Sequence, residues 1–263
     1  MNRFIRVWVA LLSVGVVSVT GDRLDAQSIS HSTTKARAAD VKDSTAGVRS
    51  VLAFVADEHL AALRQKPELK STVVRRLRLG RKVWIISRRN ATLQQPHFCH
   101  VATSRRTSGW IHAASLIVPS RRGEDRRLLE MIAESTDGLE RLTRCQLFLR
   151  FMPHSILVPK VLLAQGEEAE RASSVLGIRS TRRIARADTQ KYGASERDYF
   201  LTDPGLDRYS RIGVSFDFNG ANNQYVYDGR AYREILARFP KSDAAVAART
   251  RLEKLNAQLR RSD

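Results

Sequence analysis

The 263-residue chain has only two cysteines, Cys99 and Cys145. That excludes a disulfide-stapled scaffold and any zinc site built from cysteine pairs. Fourteen glycines and seven prolines exclude collagen-like and low-complexity chains. Long apolar runs are missing: Val7–Val19 covers thirteen residues, whereas a membrane-spanning helix takes about 20. Acidic residues are few beside basic ones, 27 Asp+Glu against 45 Lys+Arg, for a net charge of +18. A disordered acidic tail is therefore excluded. The Gly-x4-Gly-Lys-Ser/Thr phosphate loop and the Gly-x-Ser-x-Gly nucleophile element are both absent, which removes the commonest nucleotide and hydrolase signatures. A hydrophobic fraction of 43% is enough for one or two folded domains.

At the N-terminus, Arg3 and Arg6 precede the Val7–Val19 run, and small residues follow. A basic start, a short apolar stretch and a small-residue exit read as a secretory signal peptide over residues 1–26. Cleavage after Gly21 or Ala26 fits, and an uncleaved anchor is the alternative. No cysteine is placed there for a lipid anchor. Residues 27–50, rich in Ser, Thr, Ala and Asp, read as a flexible leader. The expected location is outside the cytoplasm, in the periplasm or beyond. Export permits a Cys99–Cys145 disulfide, but both positions fall in apolar patterns, so two buried thiols are the favoured alternative.

From Val51 to Pro119 the pattern is that of short strands. Val73-Val74, Val83-Trp84-Ile85-Ile86, Phe98 to Val101, Gly109-Trp110-Ile111 and Leu116-Ile117-Val118 are separated by polar segments such as Ser87-Arg88-Arg89-Asn90 and Ser104–Ser108. Such spacing predicts a small barrel or sandwich. In order, Ala62-Leu63-Arg64, Val73–Gly80, Arg81–Ile86, Phe98–Val101 and Gly109–Ile117 resemble a bacterial SH3-like domain. The resemblance covers about a quarter of the chain. The sequence departs from that pattern at Phe98, where a Trp is usual, and in the long Ser87–Pro96 turn. The resemblance implies a small β-barrel that binds a peptide or protein, often at the cell wall. It offers Trp84, Phe98, Trp110 and His112 as groove residues, because aromatics give large contact area at low entropic cost. The alternative is that the tryptophans fill the barrel.

After Arg121 the period becomes helical. Leu128, Leu129, Ile132 and Ala133 share a helix face, Asp137 with Glu140 reads as a capping box, and Leu139, Leu142, Cys145, Leu149 and Met152 line the next helix. A third helix is expected from Ile156 to Leu176, stopped by Gly177. Leu147–Ser155 and Glu234–Ser242 share one pattern: an amphipathic helix, proline, one residue, serine, then a second helix. These units, at about 138–176 and 229–260, resemble tetratricopeptide-like helical hairpins. Repeats of this kind need about three copies to bury a core, so helices at Ser195–Phe200 and Pro204–Ile212 must complete it. Ser215–Gly229 reads as a loop or small hairpin turning at Asn219-Gly220. The expected fold is thus multi-domain, β then α: an SH3-like β-barrel at 51–119 and a helical domain at 120–263.

No catalytic constellation stands out. His97, Cys99, His100 and His112 are close in sequence, but strand alternation puts His100 opposite His97 and Cys99, which splits a metal set. Asp217–Asp228 lacks the spacing of a calcium loop. No metal, cofactor or enzyme activity is expected. Arg75, Arg76, Arg78, Arg81, Lys82, Arg88, Arg89, Arg105 and Arg106 form basic runs that attract polyanions. Nucleic acid is not expected as partner after export, which leaves anionic envelope polymers. Residues 51–119 hold 12 basic and 3 acidic residues, so much of the excess charge is on the barrel. The expected function is an exported, non-catalytic envelope protein, its barrel recognising a wall peptide or protein and its helices acting as scaffold. A polyanion binder is the second reading, and a wall-active enzyme with an unrecognised site the third.

Overall fold

The computed structural model describes residues 50–89, 97–186 and 195–260. The signal segment 1–26 and nearly all of the leader lie outside the described residues. The described residues belong to one compact unit. The order of elements is β then α, with a small hairpin late in the chain.

Among the described residues seven strands come first: β1 (Val51–Val55), β2 (Ala62–Arg64), β3 (Val73–Arg76), β4 (Lys82–Arg89), β5 (Phe98–Ser104), β6 (Thr107–His112) and β7 (Leu116–Ile117). They form one antiparallel sheet in the order β3-β2-β6-β5-β4-β1-β7. The expected barrel is not closed by hydrogen bonds, since β3 and β7 remain edges. β7 has two residues, and Pro119 beyond it has no amide to extend a ladder. The sheet nevertheless curls around one cluster. Leu63 from near one edge and Leu116 from the other pack with Ala53, Val83, Val101 and Ile111. Gly80 makes the turn into β4 at φ 78°, where a side chain would be strained; its amide donates to Val55 O at 2.8 Å. Ser87–Arg89, expected as a turn, continue β4. A register shift between Ile85 and Ser87 re-phases the strand against β5, which keeps the ladder going where the sequence turns polar. Residues 90–96 of the expected long turn lie outside the described residues.

Seven α-helices follow among the described residues: α1 (Glu124–Glu134), α2 (Gly138–Phe151), α3 (Val158–Arg186), α4 (Glu196–Leu201), α5 (Pro204–Ser210), α6 (Arg230–Arg238) and α7 (Asp243–Arg260). Asp137 caps α2 by accepting from the Glu140 amide at 2.8 Å. The Glu140 carboxylate pairs with Arg144 at 2.6 Å. Gly177 does not stop α3, which runs on to Arg186. Its backbone is outside the left-handed region, and the added turns bury Ile184 with Leu176, Phe200 and Tyr225. The Asn219-Gly220 turn is longer than expected. β8 (Phe216–Asn219) and β9 (Gln224–Tyr227) pair across four residues, with Asn223 at φ 52°.

The two helix–proline–helix units match in geometry. Met152 and Phe239 end their helices at φ/ψ of −131°/48° and −133°/47°. Their carbonyls accept from the amides of Ser155 at 3.1 Å and Ser242 at 3.0 Å. The serine hydroxyls differ: Ser155 donates to Asp125 at 2.7 Å, and Ser242 turns back to Phe239 O at 2.8 Å.

Sheet and helices meet in a second cluster, where Phe54, Ala56 and Ile117 pack with Leu128, Ile132, Leu142 and Phe148. The boundary near residue 119 is therefore a shared seam. Phe54, on the side of β1 away from the inner cluster, stacks on Phe151 at 4.6 Å, and Lys82 Nζ lies 5.4 Å from the same ring. Three arginines reach main-chain carbonyls across the seam or at the end of α1. Arg127 donates to Leu116 O at 2.9 Å and to Ala114 O. Arg141 donates to Ile132 O at 3.1 Å, to Ala133 O at 3.3 Å and to Ser135 O. Arg144, buried, donates to Ala56 O at 2.9 Å and Met131 O at 3.1 Å. A guanidinium presents five donors in a planar fork, which an ammonium cannot. Part of the arginine excess is thus internal fastening.

Candidate functional site

Strand alternation sends Ala53, Val83, Val101 and Ile111 into the inner cluster and their neighbours to the opposite face. There the register aligns Leu52 with Trp84 and Trp84 with Ala102, and His100 with Trp110. His100 and Trp110 rings lie 5.0 Å apart at 31°. Leu52 is 39% exposed, Trp84 41% and Ile86 36%; His100 and Trp110 are half-buried. An aromatic and aliphatic strip therefore crosses β1, β4, β5 and β6 on the solvent side. Neither tryptophan fills the inner cluster. Contiguous exposed apolar surface on a folded protein marks an interaction site.

Phe98 and His112, expected on the same groove, sit elsewhere. Phe98 is 2% exposed and meets His112 edge-on at 5.8 Å. Both line a cavity of about 530 Å³ between the sheet and the start of α1. Leu52 and Ile86 join the strip without having been singled out in the sequence. Their exposure depends on which residue lies opposite, which only the register reveals.

Of the histidines and cysteine weighed as metal ligands, Cys99 is in the inner cluster and His100 packs against Trp110. Among the described residues no group of three His, Cys, Asp or Glu is placed to hold a metal ion. Cys99 and Cys145 are free and buried, in separate clusters. Burial raises the Cys99 thiol above its ordinary range, opposed by Arg88 and Arg121. Burial pushes Cys145 up to about 12. Both are protonated thiols at neutral pH and weak nucleophiles as they stand.

The candidate basic residues are spread over several elements. Arg75 and Arg76 are on edge strand β3, Arg105 and Arg106 form the β5–β6 turn, and Arg88 and Arg89 end β4. In the sheet, β2, β6 and β5 stand between β3 and β4. Arg78 is exposed beyond β3, Arg81 donates to Thr103 O at 3.2 Å, and Lys82 is drawn to Phe151. In the helical region a cleft of about 760 Å³ lies between α3, the hairpin and α7. Its Arg251 pairs with Glu167 at 3.3 Å and Glu170 at 3.4 Å, so these charges compensate one another. No helix among the described residues is long and apolar enough to cross a membrane.

His112 gives a pH-dependent signature. Its Nδ1 accepts from the Ala114 amide at 3.2 Å, so the neutral ring carries its proton on Nε2. Burial lowers its pKa below 6.5, His97 adds to that, and Asp57 opposes it. The unfolded chain then binds more protons just below pH 6.5, so this residue makes stability rise with pH over that window. In an NMR titration the His112 ring midpoint falls below 6.5 in the folded protein and returns to about 6.5 in urea. A folded midpoint at or above 6.5 contradicts this account.

The chain matches no family model, no curated protein and no solved structure.

Proposed function

We propose that the chain is an exported, non-catalytic binding protein of the bacterial cell envelope. Its sheet acts as an SH3-like module, and the strip Leu52–Trp84–His100–Trp110 recognises a wall peptide or an envelope protein segment. The helix–proline–helix units serve as a tetratricopeptide-like scaffold fastened to it. The observation that carries this reading is the strip itself: two tryptophans stay on the solvent side while the inner cluster fills with smaller apolar residues. The basic excess of residues 51–119, 12 basic against 3 acidic, favours an acidic partner. Signal-like residues 1–26 support export.

The test is retention of the protein on purified peptidoglycan at about 0.05 M and about 0.5 M salt, where surface charge is weakly and strongly screened. Retention at high salt is expected, and Trp84→Ala and Trp110→Ala should each weaken it by about five- to thirty-fold, the worth of roughly 1–2 kcal/mol of aromatic contact. Loss with salt alone makes the protein a polyanion binder. Release of soluble wall fragments makes it an enzyme, and no retention at either salt sinks both binding readings.

A further inference from the structure

The cavity beside Phe98 and His112 has the makings of a second site, on residues the outer strip does not use. Its volume of about 530 Å³ is within the roughly 300–1,000 Å³ of small-molecule pockets. Ile85, Phe98, Leu116 and Val118 give it apolar walls, and Arg88, Arg121, Arg127 and Glu124 border it. Two of these charges are already satisfied. Arg127 holds Glu124 at 3.1 Å while donating to Leu116 O and Ala114 O. Arg121 reaches Glu124 only at 3.9 Å and is largely exposed. Arg88 has no ion-pair partner among the described residues. Arg88 lies opposite Cys99 in the β4–β5 ladder, and Arg88, Cys99 and Arg121 all line this one cavity. A guanidinium beside an apolar chamber suits a planar carboxylate whose remainder is hydrophobic.

We propose that this cavity binds a small amphiphilic carboxylic acid as its anion, with the carboxylate between Arg88 and Arg121 and the apolar body against Ile85, Phe98, Leu116 and Val118. The ligand neutralises Arg88, unpaired among the described residues, and the loosely paired Arg121, at a chamber whose apolar walls are themselves nearly buried. His112 stands at the rim, where a bound anion favours its protonated form.

The probe is 4-phenylbutyrate, compared with its neutral amide, titrated into the full chain at low salt and followed by backbone and indole NMR signals. Shifts centred on Phe98, Cys99 and His112 are expected, with the Trp84 and Trp110 indoles unmoved. The amide should bind about ten- to a hundred-fold more weakly, as loss of charge-assisted hydrogen bonds implies. Arg88→Gln with Arg121→Gln should weaken the acid similarly. Equal affinity for acid and amide, shifts centred on the indoles, or no shift up to the solubility of the acid each overturn the proposal. The comparison of acid and amide uses the unaltered protein, so it stands whether or not the double variant folds. Peptidoglycan retention, read through Trp84 and Trp110, is a separate measurement that either result leaves standing.

Discussion

Arg144→Met should lower the unfolding free energy by about 3–4 kcal/mol, and Arg144→Lys should restore less than half of it. The side chain is 8% exposed and holds four groups at once: Ala56 O, Met131 O, Ser135 Oγ and the Glu140 carboxylate. Methionine preserves much of the volume but takes the donor from Ala56 O and the cation from Glu140, whereas Met131 O and Ser135 Oγ keep their hydrogen bond to each other. Each buried acceptor left without a donor costs about 1–3 kcal/mol. Glu140 has room to hydrate, being 21% exposed, which keeps the sum below that of a fully buried broken pair. An ammonium has the charge but not the fork, hence the poor rescue by lysine. Urea unfolding measures the loss, and a value below about 1 kcal/mol would refute this role. Arg144 also joins β1 to α1 and α2. In a Trp8→Phe background, fluorescence of Trp84 and Trp110 reports the sheet and circular dichroism the helices. The two transitions should coincide in the parent and separate in Arg144→Met.

No feature of the sequence distinguishes Arg144 from the other arginines, and the reason is physical. A buried arginine is identified by the carbonyls around it, and those come from residues 56 and 131, brought near only by the fold. Local periodicity, by contrast, was legible. The strands came from β-branched alternation, and the helices expected at Ser195–Phe200 and Pro204–Ile212 are present as α4 and α5, with caps that form as hydrogen bonds at Asp198 N and Gly205 N. Ladder closure was not legible, because it depends on whether two distant edges meet. The same division runs through the candidate site. Trp84 and Trp110 were identifiable as aromatics on strands. Which face they take depends on alternation relative to a core that includes Leu63 and Leu116, far apart in sequence. Phe98 was placed with them because it is aromatic, yet its burial moves it to the cavity.

Gly166→Ala and Gly177→Ala, two identical substitutions eleven residues apart on α3, should have opposite signs. In a helix interior, glycine costs about 1 kcal/mol relative to alanine through backbone entropy. At Gly177 an added Cβ meets nothing within 4 Å, so alanine should recover roughly 0.5–1 kcal/mol of stability. At Gly166 the same Cβ would lie 2.4 Å from Tyr232 Cε1 and 2.6 Å from Cζ. Tyr232 cannot easily retreat. It is fully buried, its hydroxyl donates to Glu170, and its ring meets Tyr227 edge-on at 5.9 Å. Tyr227 is itself fixed by accepting from the Ala231 amide at 2.8 Å. Either α6 moves off α3 or the Tyr232–Glu170 hydrogen bond breaks, and overpacking of this kind costs about 1–3 kcal/mol beyond the lost propensity gain. A net destabilisation of about 1–2 kcal/mol is expected for Gly166→Ala from these opposed terms. Adding Tyr232→Phe removes the hydroxyl tether and lets the ring shift, so the double variant should be less destabilised than the sum of the singles, a coupling that a thermodynamic cycle reads directly. Stabilisation at both glycines would mean that α3 and α6 do not approach this closely.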